Sequence, residues 1–325
     1  MIQILVEKVP LGRSGVSVTR LCFGLAPLGS MPDTYGYDVA AKQARETVRA
    51  IFDSSVNCLD TSRNYGFGRS EERVGDVIRE RGGLPPGFVI SSKLDRDMET
   101  GHFDGARARR SLEESLKALN VDHIQLLHVH DPEHAHSLSD VTALNGALAE
   151  LFRMKEEGLA EAVGLAAGRV DIMMPLVRDW DFDALITHNR FTLANRNAEE
   201  LIDYAQERGI AVLNAAPYSG GILAKGSASH RRYVYQEASS LMLEPIARIE
   251  QVCARHGIPP GAAALQFSMR DQRIASTICG ISRPERISQT LDWMLYPIPQ
   301  QAWDELMALP YATDDPEAKR AYRPG

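Results

Sequence analysis

The chain has 325 residues, of which 44% are hydrophobic and 24% are charged. This composition is that of an ordinary globular protein and excludes disordered and fibrous classes. The net charge of -7 at pH 7 would repel a phosphate backbone, and no apolar run approaches the ~18 residues of a membrane span. We therefore expect neither nucleic acid nor a membrane as a partner.

Two features favour a cytoplasmic location. Glu7 and Lys8 interrupt the N-terminal apolar residues too early for the core of a signal peptide. The four cysteines are widely separated and form no C-x-x-C pair: Cys22, Cys58, Cys253 and Cys279. Cysteine in apolar surroundings is usually a small buried hydrophobe, which fits a reducing interior. No feature of the sequence predicts an oligomeric state.

Short apolar runs alternate with segments of helical period from Arg20 onward. The runs are TRLCFG, VNCLD, GFVISSK, HIQLLHVH, AEAVGLA, ALITHN, IAVLNAA and IASTICG. Helices are predicted over 40–53, 70–81, 106–119, 144–157, 171–177, 198–208, 241–255 and 284–292. Such alternation is typical of parallel strands joined by crossover helices. Eight units of this kind predict one (β/α)8 TIM barrel domain over residues 1–325.

An open doubly wound sheet is the alternative fold, but no G-x-G-x-x-G follows the first strand, so a dinucleotide-binding sheet of that type has little support. Two segments lie outside the eight units. The stretch VPLGRSGVSVTRL predicts a β-hairpin that closes the bottom of the barrel. A long Gly- and Ser-rich loop is predicted between strands seven and eight, where such loops are usually functional.

Active sites of TIM barrels lie at the carboxyl ends of the strands. Asp60 ends VNCLD, Lys93 ends GFVISSK and His130 ends HIQLLHVH, while Tyr65 follows Asp60 by five residues. These four residue types suit proton transfer coupled to carbonyl chemistry. We expect Lys93 to lower the pKa of the Tyr65 hydroxyl, Asp60 to hold Lys93 in place, and His130 to donate a hydrogen bond to a substrate oxygen.

Each of these residues also has a plainer interpretation. Asp60 in the run DTS is a plausible helix N-cap, and Tyr65 in a glycine-flanked loop is a plausible packing residue. A buried lysine is rare, which favours a functional role for Lys93. The joint occurrence on consecutive strands favours the catalytic hypothesis.

The run LLHVHDP places two histidines two residues apart, so that His128 and His130 point to the same side of a strand. One hypothesis is a two-histidine metal site of a barrel hydrolase, with Asp60 and His188 as further ligands. It leaves Lys93 and Tyr65 without roles. We expect instead a catalytic His130 above a buried His128. The favoured role for His128 is to fill the core, and the alternative is to support the site from below by a hydrogen bond. Asp131 is expected to point away.

At these residues the sequence resembles the aldo-keto reductase family. The landmarks are LGRSGVSVTRLCFG, NCLDTSRNYGFGRSEERVG, VISSKL, RSLEESLKALNVDHIQLLHVHDP, NRFTLAN, APYSGGIL and ICGISRPERI, in order between residues 11 and 292. The resemblance implies that Asp60, Tyr65, Lys93 and His130 are catalytic.

Within the family, THNRFTLANRNA and LNAAPYSGGILAKG look most like the sugar-oxidising branch. This branch holds aldose 1-dehydrogenases, such as those for L-fucose, D-threo-aldoses and L-galactose, and pyridoxal 4-dehydrogenase. The implied reaction oxidises an aldose at C1 to a lactone with NAD or NADP, Tyr65 taking the proton. A general aldehyde or ketone reductase, and a cofactor-binding barrel without turnover, are the alternatives.

The resemblance also implies a set of cofactor-binding residues: His188, Ser219, Leu223, Gly280, Ser282, Arg286 and Gln289. Three positions depart from the family pattern. Ala167-Gly168 replaces a Ser-Asn pair that grips the carboxamide, and Ala215 replaces the aromatic that stacks on the nicotinamide, for which Tyr218 is a possible substitute. Gly280 replaces a lysine that binds a 2′-phosphate, which favours NAD over NADP. No metal is expected.

The substrate pocket is expected to be lined by the loop after Lys93, the loop after strand seven and the C-terminal tail. Within them and nearby, His102, Arg63 and Tyr322 are candidates to meet substrate hydroxyls. Solvation at the surface is the alternative for each of them.

Overall fold

Eight parallel strands close into a barrel in the computed structural model, which describes residues 6–320. The strands pair in chain order around the barrel, and the last of them pairs with the first to close it. The barrel strands are β3 Leu21–Gly24, β4 Cys58–Asp60, β5 Val89–Leu94, β6 Ile124–His130, β7 Ala160–Ala166, β8 Ala184–His188, β9 Ala211–Ala215 and β12 Ile274–Gly280. The predicted TIM barrel is confirmed, and Tyr322 lies outside the described residues.

Helices lie between the strands. They are α1 Pro32–Tyr35, α2 Ala41–Phe52, α3 Arg69–Arg81, α4 Gly105–Leu119, α5 Leu138–Thr142, α6 Ala147–Glu156, α7 Val170–Asp179, α8 Glu199–Glu207, α9 Ile222–Lys225, α10 Ser240–Arg255, α11 Pro260–Arg270, α12 Glu285–Met294 and α13 Gln300–Met307. In α2 the residues Ala44, Val48 and Ile51 recur at helical spacing and are buried. None of the helices within residues 6–320 combines the length and apolarity needed to span a bilayer.

The segment between β9 and β12 is more ordered than a Gly- and Ser-rich loop. It contains α9, a short hairpin of β10 Arg232–Tyr233 with β11 Gln236–Glu237, and then α10 and α11. Helix α11 gives no clear signal in the sequence because half of the residues in GAAALQFSMR are small and most are buried, which leaves no distinct apolar stripe.

The predicted N-terminal hairpin is confirmed. Strands β1 Lys8–Pro10 and β2 Ser17–Thr19 pair antiparallel, with Lys8 opposite Thr19. Leu11, Val16 and Val18 are buried against inward-facing residues of the barrel, such as Cys22 and Cys58. The hairpin therefore closes one end of the barrel and leaves the other end, where the strands finish, open to a ligand.

The register of the strands brings the predicted catalytic positions together. Asp60 pairs with Ser91, and Lys93 pairs with His128 on the next strand. Neighbouring strands lie about 4.8 Å apart, so side chains that leave these positions inward are within contact distance. The ends of β4, β5 and β6 thus form one cluster. The four cysteines are buried and free, three of them on barrel strands.

Candidate active site

Asp60 and Lys93 form a buried ion pair at the mouth of the barrel. Lys93 Nζ lies 2.8 Å from both carboxylate oxygens of Asp60 and donates to the carbonyl of Thr61 at 2.6 Å. Only 1% of Lys93 and 4% of Asp60 are exposed. The N-cap of α3 is Gly68 rather than Asp60. A buried charge needs such a partner, so the pair is held in one geometry.

Tyr65 lies beside this pair in the loop that leads to α3. Lys93 Nζ is 4.7 Å from the centre of the Tyr65 ring. The loop is fixed by the close approach of Gly66 and Gly29, because a Cβ on Gly66 would lie 2.0 Å from the carbonyl oxygen of Gly29. Gly66 also has a positive φ of 65°, which glycine adopts without strain.

The pKa of the Tyr65 hydroxyl is raised, whereas we expect Lys93 to lower it. Burial, reinforced by the negative charge of Asp60, raises the pKa of the Tyr65 hydroxyl well above 10. Lys93 does not reverse this because its charge is balanced at close range by Asp60. Tyr65 is therefore a protonated hydroxyl, ready to donate, in the protein without ligands.

His130 joins the cluster from the end of β6 and is 5% exposed. Its ring stands edge-on to that of Tyr65, with centroids 5.8 Å apart. Its Nδ1 lies 2.6 Å from Oδ1 of Asp95, a residue that the sequence analysis missed. Asp95 follows Lys93 by two residues, and this spacing is the signal that could have placed both on the same side of the chain.

Asp131 does not point away from the site, contrary to expectation. It lines the cavity, and its Oδ2 is 3.6 Å from Nε2 of His130. The strand has already ended at His130, and Asp131 has a positive φ of 43°, so strand alternation no longer governs its direction. Although burial opposes ionisation, the charge of His130 lowers the pKa of Asp131.

His128 supports the site from below, where the core role had been favoured. Its Nε2 lies 3.2 Å from Ser91 Oγ, which in turn donates to Oδ2 of Asp60 at 2.8 Å. Burial, with the charge of Lys93, lowers the pKa of His128 well below 6.5, so the ring is neutral. The space beside its Nδ1 exists because residue 164 is glycine.

The two histidines do not converge on a common point, because each ring bonds a different neighbour. Among residues 6–320, no group of three or more His, Cys, Asp or Glu side chains is placed to hold a metal ion. The metal-hydrolase hypothesis therefore has no ligand set in the described part of the chain.

A cavity of about 530 Å³ opens above the cluster. Its lining includes these candidates from the sequence: Asp60, Tyr65, Lys93, His130, His188, Gly280, Ser282, Arg286 and Gln289. Ser219 and Leu223 are buried and do not line it. In their stretch Gly220, Gly221, Ala224 and Lys225 face the cavity instead.

The end of the cavity next to α12 is positively charged. Lys225, Arg283 and Arg286 line it, and Ser282 lies just before the N-terminal end of the helix, which attracts anions. Burial, with the charges of Arg286 and Arg232, lowers the pKa of Lys225. Because these positive charges repel one another, an anionic ligand such as a pyrophosphate would offset the repulsion and be stabilised there.

The sequence did not indicate which side chains occupy the space at the positions where this chain departs from the family pattern. A Cβ on Gly168 would lie 2.9 Å from the guanidinium of Arg190, so this arginine occupies the space of a larger side chain. Ala167 and Ala215 line the cavity as small residues. Tyr218 also lines it but packs edge-on against Trp293, with ring centroids 5.8 Å apart.

The C-terminal segment folds back over the barrel mouth. The buried Arg190 contacts Asp315 at 2.6 Å and Glu317 at 3.1 Å, and Oε1 of Glu317 is 3.1 Å from Nδ1 of His188. Burial would raise the pKa of Glu317, but the charges of His188 and Arg190 outweigh burial and hold this pKa well below its ordinary value. One of the predicted cofactor residues, His188, is thus anchored by the tail.

Three chain segments meet above the cavity. The edge of Tyr35 packs on Tyr235, with centroids 5.7 Å apart, and Arg320 lies 5.0 Å from the Tyr235 ring. All three line the cavity, so the predicted contributions of the loop after strand seven and of the tail are confirmed. The loop after Lys93 does not line it, contrary to expectation, and neither His102 of that loop nor Arg63 reaches it. Their side chains pair with acidic residues outside, Asp140 for His102 and Glu114 for Arg63.

The fold and the cluster at the strand ends define a barrel with a polar, partly charged ligand cavity. Residues 20–309 match the Aldo/keto reductase family. The chain therefore belongs to the aldo-keto reductase family of NAD(P)-dependent oxidoreductases.

Several characterised relatives are similar along most of their length. Pyridoxal 4-dehydrogenase of Microbacterium luteolum is 28% identical over 92% of this chain and 96% of its own. D-threo-aldose 1-dehydrogenase of a Pseudomonas species is 28% identical over 90% and 94%, respectively. L-galactose dehydrogenase of Arabidopsis thaliana is 27% identical over 88% and 87%.

Solved structures share the fold. The holo form of aldo-keto reductase AKR11C1 from Bacillus halodurans superposes with a TM-score of 0.76 over 97% of this chain and all of its own, at 18% identity. Glycerol dehydrogenase AKR11B4 from Gluconobacter oxydans gives a TM-score of 0.68 over 94% of this chain and 95% of its own, also at 18% identity. At this identity the likeness concerns the fold alone.

Proposed function

We propose that this protein oxidises an aldose at C1 to a lactone, transferring hydride to a nicotinamide. The observation that carries the proposal is the cluster of Tyr65 and His130 around the buried Asp60–Lys93 pair, at the floor of a cavity of about 530 Å³. The names of the relatives, an aldose dehydrogenase and L-galactose dehydrogenase among them, support a sugar as the substrate.

In this reaction the C1–H bond breaks and its electron pair leaves with the hydrogen, which the nicotinamide accepts when it is bound. Tyr65 first releases its own proton to solvent, and the resulting phenolate takes the proton of the hydroxyl on C1 while the C1–O bond becomes a carbonyl. Asp60 and Lys93 hold Tyr65 in its place, and His130 contacts the reacting oxygen.

The reverse reaction is a second candidate, supported by the raised pKa of Tyr65. A hydroxyl that keeps its proton at neutral pH is a better donor than acceptor. Aldehyde reduction, with Tyr65 giving its proton to the carbonyl oxygen, therefore uses the same cluster.

The cofactor is proposed to lie along the cavity, with its phosphates near Lys225, Arg283 and Arg286. His188, Gly280, Ser282 and Gln289 line the same space, and the backbone of the stretch holding Ser219 and Leu223 passes beside it. The absence of a lysine at Gly280 favours NAD, whereas the three cations suit any phosphate group. We propose that residues 1–325 act as one domain on a small-molecule substrate.

A substrate panel tests the proposal. Purified protein is mixed with NAD or NADP and each of a set of aldoses, and with NADH or NADPH and each of a set of aldehydes, while nicotinamide absorbance is followed. We expect reduced cofactor to form with at least one aldose. Turnover of aldehydes alone would favour the reductase, and no turnover in either direction would favour a cofactor-binding barrel.

A further inference from the structure

Asp95 holds the ring of His130 from the side away from the cavity. Its Oδ1 is 2.6 Å from His130 Nδ1, and its Oδ2 accepts from Ser62 Oγ at 2.6 Å and from the backbone N–H of Asn64 at 2.9 Å. Its own backbone N–H donates to Ser111 Oγ at 2.9 Å. Asp95 is fully buried. Two hydrogen bonds to Oδ2 and the contact of Oδ1 with the ring therefore hold the carboxylate in place.

This contact decides which ring nitrogen carries a hydrogen. An ionised carboxylate only accepts hydrogen bonds, so the contact at Nδ1 requires a hydrogen on that nitrogen. A neutral imidazole has one N–H, and in His130 it is committed to Asp95. Nε2 faces the cavity, and its distance of 3.6 Å to Asp131 is too long for a hydrogen bond.

We propose that Asp95 is a positioning residue that keeps one proton of His130 on Nδ1, so that Nε2 offers a hydrogen to the substrate oxygen only when the ring is an imidazolium. The proposal rests on the oxidoreduction proposed above. It adds a residue outside the four predicted catalytic positions and makes the electrophilic strength of the site depend on pH.

The groups that face the ring come from three elements. They are Tyr65 after β4, Lys93 and Asp95 at the end of β5, and His128 and Asp131 on or next to β6. Burial disfavours the imidazolium, but the charges of Asp131 and Asp95 outweigh it and raise the pKa of His130 above 6.5. The charge of the ring in turn lowers the pKa of Asp95, against the effect of burial.

The sign of the pH effect follows. Below its raised pKa, His130 is an imidazolium and Nε2 donates to a carbonyl oxygen, which promotes reduction. As the pH rises through that pKa, Nε2 becomes a bare acceptor, and kcat for reduction falls. In Asp95→Asn the ring loses a carboxylate partner, so its pKa drops and the fall in kcat moves to lower pH. At low pH the ring is an imidazolium in both proteins, so we expect similar kcat values there and a difference only in the pH at which kcat falls.

The first measurement does not depend on turnover. Nitrogen-15 NMR of the histidine rings in the full-length protein, with the His130 signals assigned from a His130→Gln variant, gives both the tautomer and the titration midpoint. We expect the wild type to carry its neutral-form proton on Nδ1 and to titrate above pH 6.5, and Asp95→Asn to titrate lower. A wild-type neutral ring with its proton on Nε2 would overturn the proposal, even if Asp95→Asn failed to fold.

The second measurement is the pH profile of kcat for aldehyde reduction in the wild type, Asp95→Asn and Asp97→Asn. Asp97 is a matched control because it is a partly exposed carboxylate in the same loop that accepts from the backbone N–H groups of Thr100 and Glu99 and does not contact His130. We expect the control to follow the wild type. A shifted NMR midpoint with an unshifted kcat profile would overturn the role in the reaction. Absence of turnover in the wild type would count against the proposed function, and the NMR result would still decide the placement of the proton.

Discussion

Lys93 and Asp60 are held together inside the protein, with the ammonium nitrogen 2.8 Å from both oxygens of the carboxylate. Within residues 6–320 neither group has another counter-charge so close, and the side chain of Lys93 is almost fully buried. Ser91 and His128 extend this contact downward, while Tyr65 lies above it. The pair is thus the structural centre of the site as well as part of its proposed chemistry.

Replacing Asp60 by Asn should destabilise the fold strongly. The substitution keeps the shape but leaves the buried Lys93 without a counter-charge, which costs about 3–5 kcal/mol in comparable sites. Urea unfolding monitored by circular dichroism measures this. The control is Glu80→Gln, which breaks the partly exposed pair with Arg49 and should cost less than about 1 kcal/mol. Equal losses in both variants would show that the Asp60–Lys93 pair is not specially buried.

Gly164 should tolerate no side chain. A Cβ there would lie 2.4 Å from His128 Nδ1 and 2.6 Å from the carbonyl oxygen of Ala184, so Gly164→Ala must displace the histidine or the neighbouring strand. We expect a loss of about 1–3 kcal/mol in unfolding free energy, as for other overpacked sites. Gly280→Ala is the matched control, since its nearest neighbour, Pro27 Cγ, would be 3.6 Å away. If Gly164→Ala is as stable as that control, the proposed support from His128 has been placed wrongly.

Glu71 should make the stability of the protein fall between about pH 4.5 and 7. Burial raises its pKa from 4.5 to about 7, while Ser92 donates to Oε1 at 2.7 Å and limits the rise. Between the two values the folded state holds a proton that the unfolded state has released, so rising pH favours unfolding. The full effect is on the order of 3 kcal/mol.

The test compares thermal unfolding of the wild type and Glu71→Gln from pH 5 to 8, a range chosen around that pKa. The amide keeps a hydrogen-bonding group beside Ser92 without a titrating proton, so the variant should lose much of the decline. Glu72→Gln on the same helix is the control, because Glu72 is largely exposed. Parallel pH profiles for the wild type and Glu71→Gln would exclude Glu71 as the source.

The sequence predicted the barrel and the meeting of Asp60, Lys93 and His130 because both follow from periodic features. Strand ends of a parallel barrel share one rim, and the apolar runs show where the strands end. The role of Asp131 was misjudged because a residue with positive φ no longer follows strand alternation. The predicted lowering of the Tyr65 pKa failed because burial of the hydroxyl raises this pKa, and the burial of a loop residue does not follow from a local sequence pattern.

Other parts of the site depend on contacts between distant segments. Arg190 pairs with Asp315 and Glu317, more than a hundred positions further along the chain. No local sequence pattern in either segment predicts a contact with the other segment. The same is true of Tyr35, at the end of α1, and Tyr235, in the turn between β10 and β11, which meet above the cavity. Such pairs depend on the path of each loop, which hydrophobic periodicity does not determine.

The most direct test of the central claim is the rate of hydride transfer in Tyr65→Phe, measured with the substrate and cofactor that the panel identifies. The variant removes only the hydroxyl oxygen, so the cavity and the Asp60–Lys93 pair should remain. We expect kcat to fall by roughly 10²- to 10⁴-fold, as for loss of a general acid or base. The dissociation constant of the cofactor should stay within about twofold of wild type, because the substitution removes no group that binds the cofactor equally in the ground state and the transition state. A Tyr65→Phe variant that turns over at the wild-type rate would contradict the assignment of the reaction to this cluster.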